Sequence, residues 1–226
     1  GGLMDVFRQP KYSYYMFMAQ RPAVKNDRNA GSGPMVYIAH EMTPFSGKDV
    51  TVYSNCDEVR LTFNKGGKTY TYNKPVVKEG MPSPVITFPD VYDFMVDKAM
   101  SRKKKQDEVL LRAEGLIDGK VVATHEVHPA RRPEKVLLWV DNENVNLKAD
   151  GSDFVTVVAA IADKSGNIKR LNNYYVKFHV EGEGRILGDA GILANPAPVK
   201  WGTAPVLIQS TLKPGKIKVT ASVLFE

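Results

Sequence analysis

The sequence predicts an all-β chain: two immunoglobulin-like β-sandwich domains in tandem, preceded by a short N-terminal helix. Three observations predict it. Apolar residues recur with period 2 in short runs, as in Val155, Val157, Ala159 and Ile161, which puts them on one buried face of a strand. Turn clusters rich in Gly, Asp, Asn and Lys separate these runs, and at 226 residues the chain has room for two ordinary domains. A non-periodic, proline-flanked stretch, His128-Pro129-Ala130-Arg131-Arg132-Pro133, divides the runs into two sets.

In chain order, Pro10 can open a helix over Lys11 to Arg21, and Pro22 ends it. A helix of about eleven residues is marginal alone in water. Tyr14, Tyr15, Phe17 and Met18 therefore need a packing partner, and the chain is expected to lack one and to expose an apolar surface. Asn26 to Pro34 reads as a linker. Val36 to Ala39 and Asp49 to Ser54 are short strands. Val59, Leu61 and Phe63 form a third, which turns at Asn64-Lys65-Gly66-Gly67 and returns through Tyr70 and Tyr72. Four prolines between Lys74 and Pro89 indicate an edge strand or a crossing between sheets. Val109, Leu111 and Ala113, the Asp118-Gly119 turn, and Val121, Ala123 and His125 read as a closing hairpin. The expected limits are 1–34 for the helix and linker, 35–130 for the first sandwich and 131–226 for the second.

The second sandwich opens at the polar turn Lys148 to Asp153, and Asp163-Lys164-Ser165-Gly166-Asn167 closes its first strand. Tyr174, Val176, Phe178 and Val180 alternate with Tyr175, Lys177, His179 and Glu181, and Gly182-Glu183-Gly184 turns the chain. Ala204, Val206, Ile208 and Ser210 form a later strand. After the turn Lys213-Pro214-Gly215-Lys216, Ile217, Val219, Ala221 and Val223 return.

Composition removes several classes of function. A 43% hydrophobic content suits a chain that buries a core, and no apolar run approaches the roughly 18 residues of a membrane span. No signal peptide is expected within Gly1 to Glu226, and the Gly1-Gly2-Leu3-Met4 start reads as that of an excised piece. The single Cys56 excludes an internal disulfide and reads as a small buried hydrophobe. Much of the net charge of +6 comes from Arg102 to Lys105 and Arg131-Arg132, read as solvated loops. Basic residues are not interleaved with stacking aromatics, so nucleic acid is not an expected partner.

The residues supply no catalytic constellation, no metal site and no cofactor site. His40, His125, His128 and His179 lie at no metal-ligand spacing. Asp150, Asp153 and Asp163 fall in turns without a calcium-loop pattern. Asn142-Glu143 sits in a polar turn and is read as a decoy for a glycosidase acid/base. Trp139 and Trp201 read as core or interface residues. The candidates for stacking a sugar are Trp201, Tyr175 and Tyr37.

Three segments carry a family resemblance. Gly2-Leu3-Met4-Asp5 with Pro10-Lys11 and Tyr14-Tyr15 resembles the end of the catalytic (β/α)8 barrel of glycoside hydrolase family 2, in its β-galactosidase branch. Asp49 to Asn64 is similar to the strand pair that opens the domain after that barrel. Leu147 to Asp153 through Val180 to Gly188, with Lys213-Pro214-Gly215, looks like the family's C-terminal immunoglobulin-like domain. Lys65-Gly66-Gly67 departs from the family's Asn-Gly-Lys turn.

The resemblance implies that both catalytic glutamates lie upstream. The segment would then be an inert accessory region of a retaining enzyme that hydrolyses terminal β-galactosides. It implies the parent's own barrel as a partner, with a homo-oligomer through the sandwiches and a carbohydrate as further ones, and a periplasmic or extracellular location in a bacterium. The alternatives are a carbohydrate-binding module and an invasin-like adhesin repeat.

Overall fold

A computed structural model describes residues 2–26, 28, 31–65, 67–73, 83, 85–105, 108–141 and 146–224. The chain divides into two compact units, Gly1–Pro129 and Ala130–Glu226, so the N-terminal helix belongs with the first.

In the first unit, β1 (Val36–Ala39), β2 (Val50–Ser54) and β5 (Ile86–Phe88) form an antiparallel sheet in the order β1-β2-β5. The opposing sheet runs β4-β3-β6-β7, with β3 at Glu58–Phe63, β4 at Thr69–Asn73, β6 at Leu111–Ile117 and β7 at Lys120–Val127. Period-2 alternation decides which residues meet between them: Ile38, Val50 and Val52 from one sheet, Val59, Leu61, Leu111 and Ala113 from the other, each at most 1% exposed. The proline-bounded strand β5 sits at a sheet edge, and the chain changes sheets between β4 and β5. At the β6–β7 hairpin, Asp118 and Gly119 both take positive φ, 50° and 72°, the geometry a two-residue turn requires.

The N-terminal helix α1 covers Tyr12–Met18. Its expected lack of a partner is overturned. The Tyr15 ring stacks on Tyr37 of β1, centroids 3.6 Å apart and 6° from parallel, and Tyr12 meets Tyr37 edge-on. The Tyr12 hydroxyl donates to the Glu41 carboxylate. The Gln20 side chain donates to the Ser83 carbonyl and accepts from the Ser83 N–H. Phe17 stays 54% exposed on the far side.

A second helix, α2 (Phe94–Arg102), was not foreseen. Asp93 caps it by accepting from the N–H groups of Met95 and Val96, and Phe94 and Met100 pack on the core. Arg102, read as solvated loop, is the last residue of this helix, where a cation faces the negative end of the helix dipole.

The second unit is built from the sheets β11-β13-β9-β8 and β12-β10-β14. The strands are β8 (Lys135–Asp141), β9 (Phe154–Ala162), β10 (Tyr175–Gly182), β11 (Gly184–Ile186), β12 (Ala197–Pro198), β13 (Thr203–Ser210) and β14 (Ile217–Leu224). Val157 lies opposite Val206 and Ala159 opposite Ala204; all four are buried and face Val176 and Phe178 of the other sheet. Strand β9 is central and buried from Thr156 to Ala162.

Two details depart from the sequence reading. Strand β8, which begins just after the 128–133 stretch read as the domain boundary, was not foreseen, because Val136 to Val140 is a continuous apolar run without alternation. Strand β14 does return after Lys213-Pro214-Gly215, but into the opposite sheet, pairing with β10 over eight positions. The turn is an arch between sheets rather than a hairpin.

Gly115 of β6 shows how tightly the first unit is packed. A Cβ built there would lie 2.6 Å from Cys56 Sγ and 3.3 Å from Cys56 Cβ, and Cys56 is 3% exposed. Gly115→Ala should therefore destabilise the first unit by about 1–3 kcal/mol through overpacking. Most of that loss should vanish when Cys56→Ala is already present, a coupling that a double-mutant cycle on denaturation midpoints measures. Additive effects would show that the Cys56 sulfur is not what demands glycine.

Candidate functional site

The three sugar-stacking candidates end up in different settings. Tyr37 has Tyr15 stacked on one ring face at 3.6 Å, which leaves only the other face for His125, 4.5 Å away at 30°. Both faces are taken, and Tyr37 serves as the anchor of α1. Tyr175 is half-buried on the outward side of β10, opposite Pro198 and Leu224. Trp201 occupies the left-handed turn before β13, at φ 55°, with 55% of its surface exposed; its carbonyl accepts from Arg170 Nη1. Trp139 lies on the edge strand β8 and is 38% exposed, so it is not a core residue. Asn142 and Glu143 lie outside the described residues.

Two of the histidines are structural crosslinks. His40 accepts at Nδ1 from the Met42 N–H and donates from Nε2 to the Gly47 carbonyl. His125 accepts at Nδ1 from the Ile38 N–H. Each Nδ1 is an acceptor, so each ring must be neutral, and burial pushes both pKa values below the ordinary 6.5. His128 and His179 lie 3.7 Å and 3.6 Å from Glu126 and Glu181. Among the described residues no group of three or more His, Cys, Asp or Glu is arranged to hold a metal.

The aspartates are turn organisers. Asp150 Oδ1 accepts from the Ser152 N–H, the Ser152 hydroxyl and the Asp153 N–H, and the backbone donors hold its pKa below the usual range. Burial raises the pKa of Asp163, but donors from Arg131 and Asn167 outweigh burial and leave it low. Both carboxyls stay ionised at neutral pH, so neither can act as a general acid.

What the structure adds is a cleft at one end of the second sandwich. It is open, encloses about 350 Å³, and is lined by Asp150, Gly151, Arg185, Ser210, Thr211 and Leu212. Sequence reasoning took Asp150-Gly151 as turn chemistry alone and Ser210 as the last member of an inward alternation. A hydroxyl ending an apolar face was the one available signal.

Comparison with known proteins gives the context. Residues 138–223 match Glycoside hydrolase family 2 C-terminal domain 5. A β-galactosidase of Thermoanaerobacter pseudethanolicus is 32% identical over 230 residues, covering 97% of this chain and 28% of that protein. A β-galactosidase of Bacteroides ovatus is 36% identical over 115 residues, 46% of this chain and 13% of its own length. Among solved structures, a β-glycosidase from Bacteroides vulgatus superposes on 98% of this chain and 26% of its own, with a TM-score of 0.68 at 23% identity. A family 2 β-glucuronidase covers 99% of this chain and 22% of its own, with a TM-score of 0.67 at 20% identity.

Fold and matches together define a β-sandwich accessory region. It is the C-terminal accessory region of a glycoside hydrolase family 2 protein, and its second unit is that family's C-terminal domain 5. The chain spans about a quarter of the length of its relatives.

The neutral histidines make the first unit pH-sensitive. Their folded pKa values lie below 6.5, so the unfolded chain takes up protons first on acidification. Stability should be full above about pH 6.5 and should fall from there until the folded pKa is reached. Denaturant midpoints between pH 7.5 and 5.5 should show this slope, and it should flatten in the double variant His40→Gln, His125→Gln. An unchanged slope in that variant would assign the sensitivity to other groups.

Proposed function

We propose that this chain is the non-catalytic support of a retaining β-galactosidase, with residues 1–34 the end of the parent's barrel and a linker, and 35–130 and 131–226 its two supporting sandwiches. The observation that carries this reading is that 97% of the chain aligns with 28% of a β-galactosidase, while the shifted carboxylates are turn organisers held ionised. Such a region contributes rigid surface rather than chemistry. The parent's barrel is the partner, with Phe17, 54% exposed on the helix face turned away from Tyr37, as part of the contact. A homo-oligomer through the sandwiches is compatible with this arrangement.

We infer a periplasmic or extracellular location in a bacterium from the resemblance to bacterial glycosidases. No described helix is long and apolar enough to cross a membrane.

The test joins the chain to the coding sequence that precedes it in its genome. The full-length protein should hydrolyse p-nitrophenyl β-D-galactopyranoside, and the 226-residue chain alone should not. Hydrolysis by the chain alone would sink the support reading. Activity of the full-length protein on the corresponding glucuronide or mannoside instead would replace the galactoside assignment.

A further inference from the structure

An unprotected sheet edge invites pairing with another strand, and natural sheets blunt their edges with charge, polarity, proline or brevity. Among the described residues, the edges of both units follow this rule with one exception. In the first unit β5 has three residues, β4 is the polar run Thr69–Asn73, and β7 carries Lys120, His125 and Glu126. Strand β1 donates its Ile38 N–H to His125 of β7. In the second unit β12 has two residues, one of them Pro198, and β11 has three, with Arg185 at the centre. Strand β14 exposes Lys218, Thr220 and Ser222.

Strand β8 is the exception. It is an edge of the sheet β11-β13-β9-β8 and seven residues long, and between Lys135 and Asp141 it runs Val136-Leu137-Leu138-Trp139-Val140, with no charge and no proline. Its register with β9 sets Val136, Leu138 and Val140 on the core side, opposite Ile161, Ala159 and Val157, and Leu137 and Trp139 on the outer side. Leu138, Trp139 and Val140 are 38%, 38% and 47% exposed, so apolar surface is open on both faces. Val136 to Val140 pair with β9 on one side, and among the described residues they have no backbone partner on the other.

The strand is complementary to itself. Laid antiparallel against a second copy about Leu138, Lys135 meets Asp141, Val136 meets Val140, Leu137 meets Trp139 and Leu138 meets Leu138. Opposite charges come together at both ends, and every pair between them is apolar, the combination that stabilises cross-strand neighbours. Partners in this register are an even number of positions apart. The edge-directed N–H and C=O groups of one copy therefore meet those of the other, and core-side residues continue the core side. Centred on any other residue, Lys135 and Asp141 no longer meet. We propose that the edge of β8 pairs with β8 of a second copy of this chain, antiparallel and two-fold about Leu138, so that the four-stranded sheet of one copy continues into that of the other. Both open edges are then used, which closes the assembly at a dimer. The proposal gives a surface to the homo-oligomer of the support role and rests on that part of it alone; hydrolysis of a galactoside can fail with the dimer intact.

The test is sedimentation equilibrium of the 226-residue chain from roughly 1 to 200 μM, the window in which a weak specific dimer dissociates. The chain should pass from monomer to dimer across it. Lys135→Asp changes an exposed side chain and sets carboxylates against each other at both ends, so it should weaken dimerisation about tenfold or more. The double variant Lys135→Asp, Asp141→Lys restores the opposite charges and should restore the dimer. A second readout reports the register without using charge. Leu138→Cys should oxidise to a disulfide-linked dimer, because only the residue on the two-fold axis meets its own copy, and Val140→Cys should not. A chain that stays monomeric throughout would assign the edge to another part of the parent protein and overturn the proposal. A dimer indifferent to Lys135→Asp, one not restored by the double variant, or equal cross-linking at positions 138 and 140 would overturn it as well.

Discussion

The second unit depends on one constraint. Two strand connections have to leave one sheet for the other at the same end of the sandwich without stranding buried backbone groups, and Glu183 satisfies both. Its N–H donates to the Lys216 carbonyl, its carbonyl accepts from the Thr211 N–H, and its carboxylate accepts from the Thr211 hydroxyl. The step from β10 to β11 and the arch from β13 to β14 are thus tied to each other. The flanking glycines are forced by this crossing. Gly182 adopts φ 90°, and a side chain at Gly184 would run into Ile217. With the crossing in place, β14 lies along β10 for its whole length, and the inner faces of the two sheets close on Val157, Phe178 and Val206.

The same end of the sandwich carries the cleft, and the two facts are connected. A strand that changes sheets cannot keep filling the core at the point of change, so Ser210 and Gly184 stand where an apolar pair would otherwise sit. The first unit shows the opposite use of polar groups. His40 and His125 accept from backbone N–H groups and pack on tyrosine rings, His40 edge-on to Tyr92 and His125 tilted over Tyr37, so they act as neutral packing elements. Tyr37, with rings on both faces, converts a seven-residue helix that could not persist alone into part of the sandwich surface. Together these features suit an accessory region of a glycoside hydrolase family 2 protein.

Most strands were legible because a half-buried strand must alternate. Val36 to Ala39, the Asp118-Gly119 hairpin and the inward series Ala204 to Ile208 all carry that signal. Helix α2 was obscured by its context: its Asp93 cap and terminal Arg102 were present, but its apolar residues do not form a clear stripe, and the basic run beyond it resembles loop. Strand β8 was hidden for another reason. Apolar residues occupy both of its faces, so Leu138, Trp139 and Val140 are all partly exposed and the run carries no period. The cleft was less legible still, since Asp150, Arg185 and Ser210 are far apart in sequence and meet only where β11 and β13 pair beside the turn before β9.

The sequence by itself determined the all-β class, the strand-and-turn rhythm and the family resemblance, because alternation and turn chemistry are local properties of neighbouring residues. Only the tertiary structure decided which sheet each strand joins, which aromatic rings are occupied and which hydroxyl is left unpaired. Those outcomes depend on contacts between residues distant in the chain. An arch and a hairpin can share the same turn residues, and the packing of two sheets selects between them.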